Sequence, residues 1–294
     1  MSRLKIDPTA RINNLKIITK NLVNTTFFGD YKSVFKGRGL EFEGFRDYTI
    51  GDDAISIDWK ASKRANKLLV REFIEERNLD VFFLIDVSSN MLTSSTKKLK
   101  SEYSAELIST IAYSVLGAGD KVGFALFSKS LVKESVLSNK KSQFYTLIES
   151  LINSENYSNY FNFSEALKYI SDNLRKGTLV FIVSDFIAPF GWEDDLKLAS
   201  QKFDIIGIMI RDQRDLTLPD SKGLVVLMDP YTQERLVVEP NKLRRTYELE
   251  VKNQIDYIKK QFIESNSDFL TLVTDKDFLD PLFQLFNNRR RKWR

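Results

Sequence analysis

Asp86-Val87-Ser88-Ser89-Asn90 sets a carboxylate, a hydroxyl and an amide at alternate positions. It directly follows an apolar run, Val81-Phe82-Phe83-Leu84-Ile85. Closely spaced carboxylate, hydroxyl and amide oxygens suit a hard divalent cation, Mg²⁺ or Mn²⁺. The run itself reads as a buried parallel strand, and ligands of open α/β sheets bind just beyond the carboxyl ends of such strands.

Two absences limit the chemistry. The chain has 294 residues with no Cys and no His. Disulfides, thiolate nucleophiles, Cys- or His-ligated metals and a Ser-His-Asp triad are therefore excluded. Hydrophobic residues make up 43% and charged residues 29%, the balance of a globular chain rather than a disordered one. A net charge of +4 does not call for nucleic acid. The N-terminus lacks an apolar signal core and no window has the long uncharged run of a membrane span, so a cytoplasmic location is expected.

The elements around the loop follow from periodicity. Asp7-Pro8 is a helix start, and Ile12, Leu15, Ile18 and Leu22 at helical spacing predict an amphipathic helix over 8–25. Gly29, Gly37 and Gly39 mark loops. Leu40, Phe42, Leu69, Arg71 and Phe73 alternate as short strands of a small N-terminal piece. From residue 79 onward Val81–Ile85, Val122–Phe127, Leu179–Val183 and Ile205–Ile210 are short apolar runs separated by helical patterns. One helix presents Tyr103, Leu107, Ile108, Ile111 and Val115 on a single face. This texture predicts an α/β fold with an open, mostly parallel sheet and helices on both faces. Leu131–Val136 is expected to return antiparallel at an edge. Leu224–Met228 and Leu236–Val238, among four Pro and Gly residues, predict a β-hairpin insertion at about 216–240. A helix through Tyr247, Val251, Ile255, Ile258 and Phe262, a strand at Phe269–Val273 and a helix at Phe278–Phe286 complete the chain. The expected division is 1–78 for the N-terminal α+β piece and 79–294 for the sheet domain.

The Asp86 loop resembles the metal-ion-dependent adhesion site of von Willebrand factor A domains. That resemblance assigns Asp86, Ser88, Asn90 and Asp185 as ligands, with Asp185 supplied by Val183-Ser184-Asp185-Phe186. Two positions depart from the pattern. Asn90 stands where the family has a second Ser. In Tyr160-Phe161-Asn162-Phe163-Ser164, the family's Thr falls on Phe161, which has no ligand atom; Ser164 or Asn162 substitutes only if the loop is rearranged. The same residues allow a second reading, in which Asp86 and Ser88 cap the following segment and Asp185 pairs with a Lys or Arg. Lys97-Lys98-Leu99-Lys100 reads as a solvated helix start.

A further constellation precedes the apolar strands: Gly37-Arg38-Gly39-Leu40-Glu41-Phe42, Arg46-Asp47-Tyr48, Gly51-Asp52-Asp53 and Ile57-Asp58-Trp59-Lys60-Ala61-Ser62. Gly51-Asp52-Asp53 suits a turn. Asp53 and Asp58 are placed to hold Arg46, Arg64 or Arg71 through charge-assisted bonds, and Trp59 to anchor this piece on the sheet domain. The series resembles the signature of the domain of unknown function 58 family, bacterial proteins with a von Willebrand factor A-like domain. Ser56 stands where that family commonly has Arg. The resemblance implies a partner, a MoxR-type AAA+ ATPase, together with other von Willebrand factor A proteins, in chaperone-like maturation or envelope stress functions. Arg46, Asp52, Asp53, Asp58 and Trp59 are then either a buried polar network or a partner-binding site.

The expected function is a non-enzymatic interaction module that binds partners at the loop face around Asp86. The alternative is a metal-dependent hydrolase or phosphotransferase using Asp86; the acid/base that such an enzyme needs two residues on is Ser88 here. The basic end Arg289-Arg290-Arg291-Lys292-Trp293-Arg294 is expected to be a solvated tail, with contact to anionic lipid or RNA as the lesser alternative.

Overall fold

Val81–Ile85 becomes the middle of strand β3 (Asp80–Asp86), the earliest strand of a six-stranded sheet. The computed structural model describes residues 41–74, 79–96, 98–187 and 189–292. The helix expected over 8–25 and the loop glycines Gly29, Gly37 and Gly39 lie outside the described residues.

Strand β3 is apolar at successive positions because both of its faces are covered. Val81, Phe83 and Ile85 enter one core with helices α2 (Lys100–Gly117), α3 (Lys141–Ile152) and α8 (Leu279–Lys292). Phe82 and Leu84 enter a second core with α4 (Phe163–Asn173), α5 (Glu193–Ser200) and α7 (Pro240–Glu264). A strand buried on both sides cannot alternate polar with apolar residues, which is why the sequence shows a run.

The sheet order is β10-β7-β6-β3-β4-β5, with β4 (Lys121–Phe127), β5 (Leu131–Ser138), β6 (Leu179–Ser184), β7 (Asp204–Arg211) and β10 (Asp268–Val273). All neighbours run parallel except β5, which returns antiparallel to β4 as the edge. From β3 the chain builds outward through β4 and β5 on one side, then crosses to build β6, β7 and β10 on the other. The loops after β3 and β6 therefore flank the point where strand order reverses, the place where such sheets form a crevice.

Two smaller pieces flank this sheet. Strand β1 (Glu41–Asp47) pairs antiparallel with β2 (Leu69–Ile74), and helix α1 (Trp59–Ala65) lies between them in sequence. After the short helix α6 (Gln213–Leu216), β8 (Val225–Met228) and β9 (Arg235–Val238) form the expected hairpin, with Val225 opposite Val238. Among the described residues no helix is long and apolar enough to cross a membrane.

Two glycine positions in the sheet are set by contact: a Cβ at Gly123 would lie 2.9 Å from the Phe82 ring, and Gly207 is tighter still. A Cβ at Gly207 on β7 would lie 2.5 Å from the Phe262 ring and 2.8 Å from Phe269. Gly207→Ala should cost about 1–3 kcal/mol through overpacking. A urea midpoint unchanged from wild type would contradict this close approach.

Candidate functional site

Asp86 ends β3 and Asp185 follows β6, so adjacent parallel strands bring the two carboxyl groups together at the reversal point. Neither is exposed. Asp86 Oδ1 accepts from the Ser88 backbone N–H at 2.7 Å, and its Oδ2 accepts from the Ser184 hydroxyl at 2.6 Å. The Ser184 oxygen in turn accepts the Phe186 N–H at 2.8 Å. That bond helps hold Phe186 in the left-handed region (φ +53°), where an aromatic residue is strained. The Phe186 ring is fixed on the inner side by Phe163, Phe262 and Phe269.

The cation at this site is a lysine. Lys100, the first residue of α2, is only 1% exposed. Its Nζ donates to Asp185 Oδ2 at 2.7 Å and to Asp215 Oδ2 at 3.0 Å. Burial by itself would lower the Lys100 pKa, but Asp185 and Asp215 outweigh it and raise the value above the ordinary one. Asp185 Oδ1 accepts the Ile187 N–H, and Asp215 Oδ2 also accepts the Asp212 N–H. Buried Arg211 lies in the field of the same two carboxylates and donates to Gln254 on α7 at 3.2 Å. The Tyr247 hydroxyl on α7 donates to the Arg214 and Asp215 carbonyls. Polar contacts thus run from the Asp185 loop through α2 to α6 and α7, the helices flanking the hairpin, with the Asp86 bonds beside them.

Burial, followed by the negative charge of Asp185, pushes Asp86 up to about 7. The Ser88 hydroxyl is close enough to favour the charged form of Asp86, yet it lacks the directed geometry of a hydrogen bond and has no partner among the described residues. Lys100 and buried Arg211 lie among the carboxyl groups of Asp185, Asp212 and Asp215.

These facts correct the expectation of Mg²⁺ or Mn²⁺. Among the described residues no group of three or more Asp, Glu, His or Cys is arranged to hold a metal ion. Asp185, the carboxylate assigned to the metal, instead binds the Lys100 ammonium. Phe161 is 1% exposed and stacks on Phe163 at 5.6 Å, so the second loop gives its ligand position to the core. Asn90 sits in a helical turn, Ser89–Leu92, where its carbonyl accepts from the Thr93 N–H and hydroxyl. A local turn bond describes Asp86 and an ion pair describes Asp185, while the Ser88 hydroxyl neither caps the turn that follows nor finds another partner among the described residues. The solvated helix start is corrected as well, since Lys100 is buried. Its position carried a signal: 100, 103, 107 and 111 fall at helical spacing on the apolar face of α2.

Above this network the loops present a different surface. Phe190 is 66% exposed beside a groove of about 230 Å³, which Tyr160, Asn162, Phe163, Ser164 and Pro189 also line. Leu92 is exposed on the first loop. The hairpin turn reaches this face through Tyr231, whose ring meets Tyr160 edge-on at 5.5 Å. Met228, Leu236 and Val237 on the hairpin are exposed too.

The second set of residues lies on the β1–β2 piece. Arg46 forms a two-pronged bond to Asp52, Nη1 to Oδ2 at 2.6 Å and Nη2 to Oδ1 at 2.7 Å. Arg46 and the Thr49 N–H hold the Asp52 carboxyl well below the usual range. Asp53 accepts from the Ile55 N–H. Asp58 caps α1 through the Lys60 and Ala61 N–H groups and binds Arg71 Nε at 2.9 Å. The backbone N–H of Ala61 is the main cause of its lowered pKa. Ser56, where Arg was the common residue, bonds the Asp53 carbonyl. Trp59 does not anchor the piece: it is 67% exposed. As the first residue of a helix capped by Asp58, it projects where the capped turn begins.

A family model described as "Protein of unknown function DUF58" matches residues 44–257. An uncharacterized protein of Mycobacterium tuberculosis is 22% identical over 286 residues, covering 96% of this chain and 90% of that one. An uncharacterized protein of Mycobacterium avium is 28% identical over 127 residues, 40% of this chain and 69% of that one. Among solved structures, an aerotolerance-related membrane protein from Bacteroides fragilis covers 73% of this chain and 100% of its own, at 15% identity and TM-score 0.46. The conserved hypothetical protein BatB from Bacteroides thetaiotaomicron covers the same shares at 13% identity and TM-score 0.47.

Proposed function

The chain belongs to the DUF58 family, and from that premise we propose that it is a non-enzymatic adaptor that engages a MoxR-type AAA+ ATPase. On this reading the sheet domain is von Willebrand factor A-like, and it binds partners without metal at the loop face above Asp86. The work it serves is chaperone-like maturation or envelope stress.

One observation carries the reading: apolar side chains, led by Phe190, stand exposed around a groove at the carboxyl end of a parallel sheet. Ligands of such sheets bind there, and exposed aromatic residues beside a groove are the usual anchors of an interface. The Lys100 network beneath supports the loops without offering an open charge. Asp86 takes the part of a structural residue here. A nucleophile has to reach substrate, whereas this carboxyl is fully buried and both of its oxygens accept hydrogen bonds.

The test is binding of the purified protein to a MoxR-type ATPase of the same organism, with nucleotide omitted. Binding should survive EDTA and fall about tenfold or more in Phe190→Asp, as for loss of a central aromatic anchor. Binding abolished by EDTA, or unchanged by Phe190→Asp, would reject the metal-free loop face.

A further inference from the structure

We infer that the β1–β2 piece carries a second interaction surface, one built to sit on an anionic lipid bilayer. It is independent of the loop-face reading, since it rests on other residues in another sheet.

Three apolar side chains within ten residues project into solvent: Ile50 at 103% exposure, Ile55 at 90% and Trp59 at 67%. Single exposed apolar residues are ordinary, but three this prominent on consecutive turns are not. Each is held in place by a neighbouring carboxylate that bonds inward. The turn bearing Ile50 is closed by the Asp52 N–H donating to the Thr49 carbonyl, and by the Thr49 N–H donating to the Asp52 carboxylate. Asp53 holds the Ile55 N–H, and Asp58 caps the helix that Trp59 begins.

Charge identifies the occupant. Residues 41–74 contain six Lys and Arg against four Asp and three Glu, so the positive excess is local to α1 rather than a property of the whole piece. Three cations are matched within the piece: Arg46 by Asp52, Lys67 by Asp47 and Arg71 by Asp58. Lys60, Lys63 and Arg64 are exposed and make no ion pair among the described residues. Trp59 with Lys63, and Lys60 with Arg64, are one helical turn apart, so each pair shares a side of α1. The result is a short stretch of chain in which exposed apolar side chains are followed by unmatched positive charge, complementary to an anionic surface with an apolar interior. Exposed Trp with flanking Lys and Arg is the composition that settles at the headgroup boundary. Side chains standing out at turn tips suit a fluid phase that closes around them. A protein helix would need a groove, and the two cavities described for this chain, at the β5–α4 face and at the Phe190 loop, do not include these positions.

The experiment is cosedimentation of the full chain with phosphatidylcholine vesicles, with and without a third of phosphatidylglycerol. The protein should bind the anionic vesicles and release in high salt. Each juxtamembrane cation is worth about fivefold in partitioning, so Lys60→Gln, Lys63→Gln and Arg64→Gln together should weaken binding about a hundredfold. Ile55→Ser with Trp59→Ala should weaken it at least tenfold while leaving the urea midpoint in place, since neither side chain is buried. In a Trp293→Phe background, vesicles should shift tryptophan emission to the blue, because Trp192 is already buried at 3% exposure. No binding to anionic vesicles would overturn the proposal. So would equal binding by the variants, which would place the lipid contact elsewhere on the chain. Loss of ATPase binding in these variants, without any vesicle binding, would identify a protein partner for this surface and also overturn it.

Discussion

Lys100→Met should destabilise the protein by about 3–5 kcal/mol, because removing one member of a buried charge pair leaves its partners uncompensated. Here two carboxylates lose their cation at once. Asp185 has no exposure and Asp215 is 17% exposed, so water can relieve the second far better than the first. Methionine keeps the length and the apolar stem, so the loss reports charge rather than a cavity. Adding Asp185→Asn should recover part of it, because the most deeply buried uncompensated charge then disappears. Urea unfolding of wild type, both single variants and the double variant gives the coupling directly. A loss below about 1 kcal/mol in Lys100→Met is the range of surface pairs and would mean that the ammonium is not the internal cation of this site.

The second large effect is a fall in stability as pH rises toward neutrality. Asp86 has an ordinary value of 3.8 and stands at about 7 in the fold, raised first by burial and then by Asp185. Between these values the native state holds a proton that the unfolded chain has released. Unfolding stability therefore decreases with rising pH across that window, by about 1.4 kcal/mol per pH unit in its middle. It levels off above the folded value. The Asp52 and Asp58 carboxyls are shifted in the opposite sense, so what they add is already complete above their ordinary value and contributes no slope there. The chain has no histidine, which leaves the neutral range otherwise nearly silent. Asp86→Asn imitates the protonated form, and its stability should be nearly flat from about pH 5 to about pH 8, meeting or exceeding wild type at the upper end. Parallel slopes for the two proteins would show that Asp86 does not titrate in this range.

The two tests bear on the same geometry from opposite directions. The first removes the cation and should unbalance the carboxylates. The second removes a proton-dependent charge and should leave the others paired. Concordant results would establish the loop support as a buried, proton-dependent ion network, which the adaptor reading uses as a rigid base for Phe190 and its neighbours.

Much of the architecture was legible in the chain. Val81–Ile85 had to be a strand with both faces covered, because no polar residue interrupts it. The helical spacing of Tyr103, Leu107 and Ile111 had to face a core. The turn residues around 216–240 had to break the α/β alternation, and a hairpin lies there. Such features are local: side-chain period and turn chemistry fix them wherever the segment ends up. The meeting of Asp86 with the Asp185 loop came only from the resemblance to a metal-ion-dependent adhesion site, since nothing local pairs the strand ending at Asp86 with the one ending at Ser184.

What the chain did not reveal was the partner that each polar group would find. Asp185 offered itself equally to a metal ion and to a basic side chain. The choice rests with Lys100, 85 residues away in sequence, and with Asp215, 115 residues from Lys100. Phe161 had no ligand atom, but only packing against Phe163 shows that its position belongs to the core. Trp59 could be a buried anchor or an exposed tip, and residue type does not separate the two. Sequence by itself determined the elements and their order, since these follow from near neighbours. Tertiary structure alone decided charge pairing and exposure, because these depend on which distant groups the sheet brings within a few ångströms.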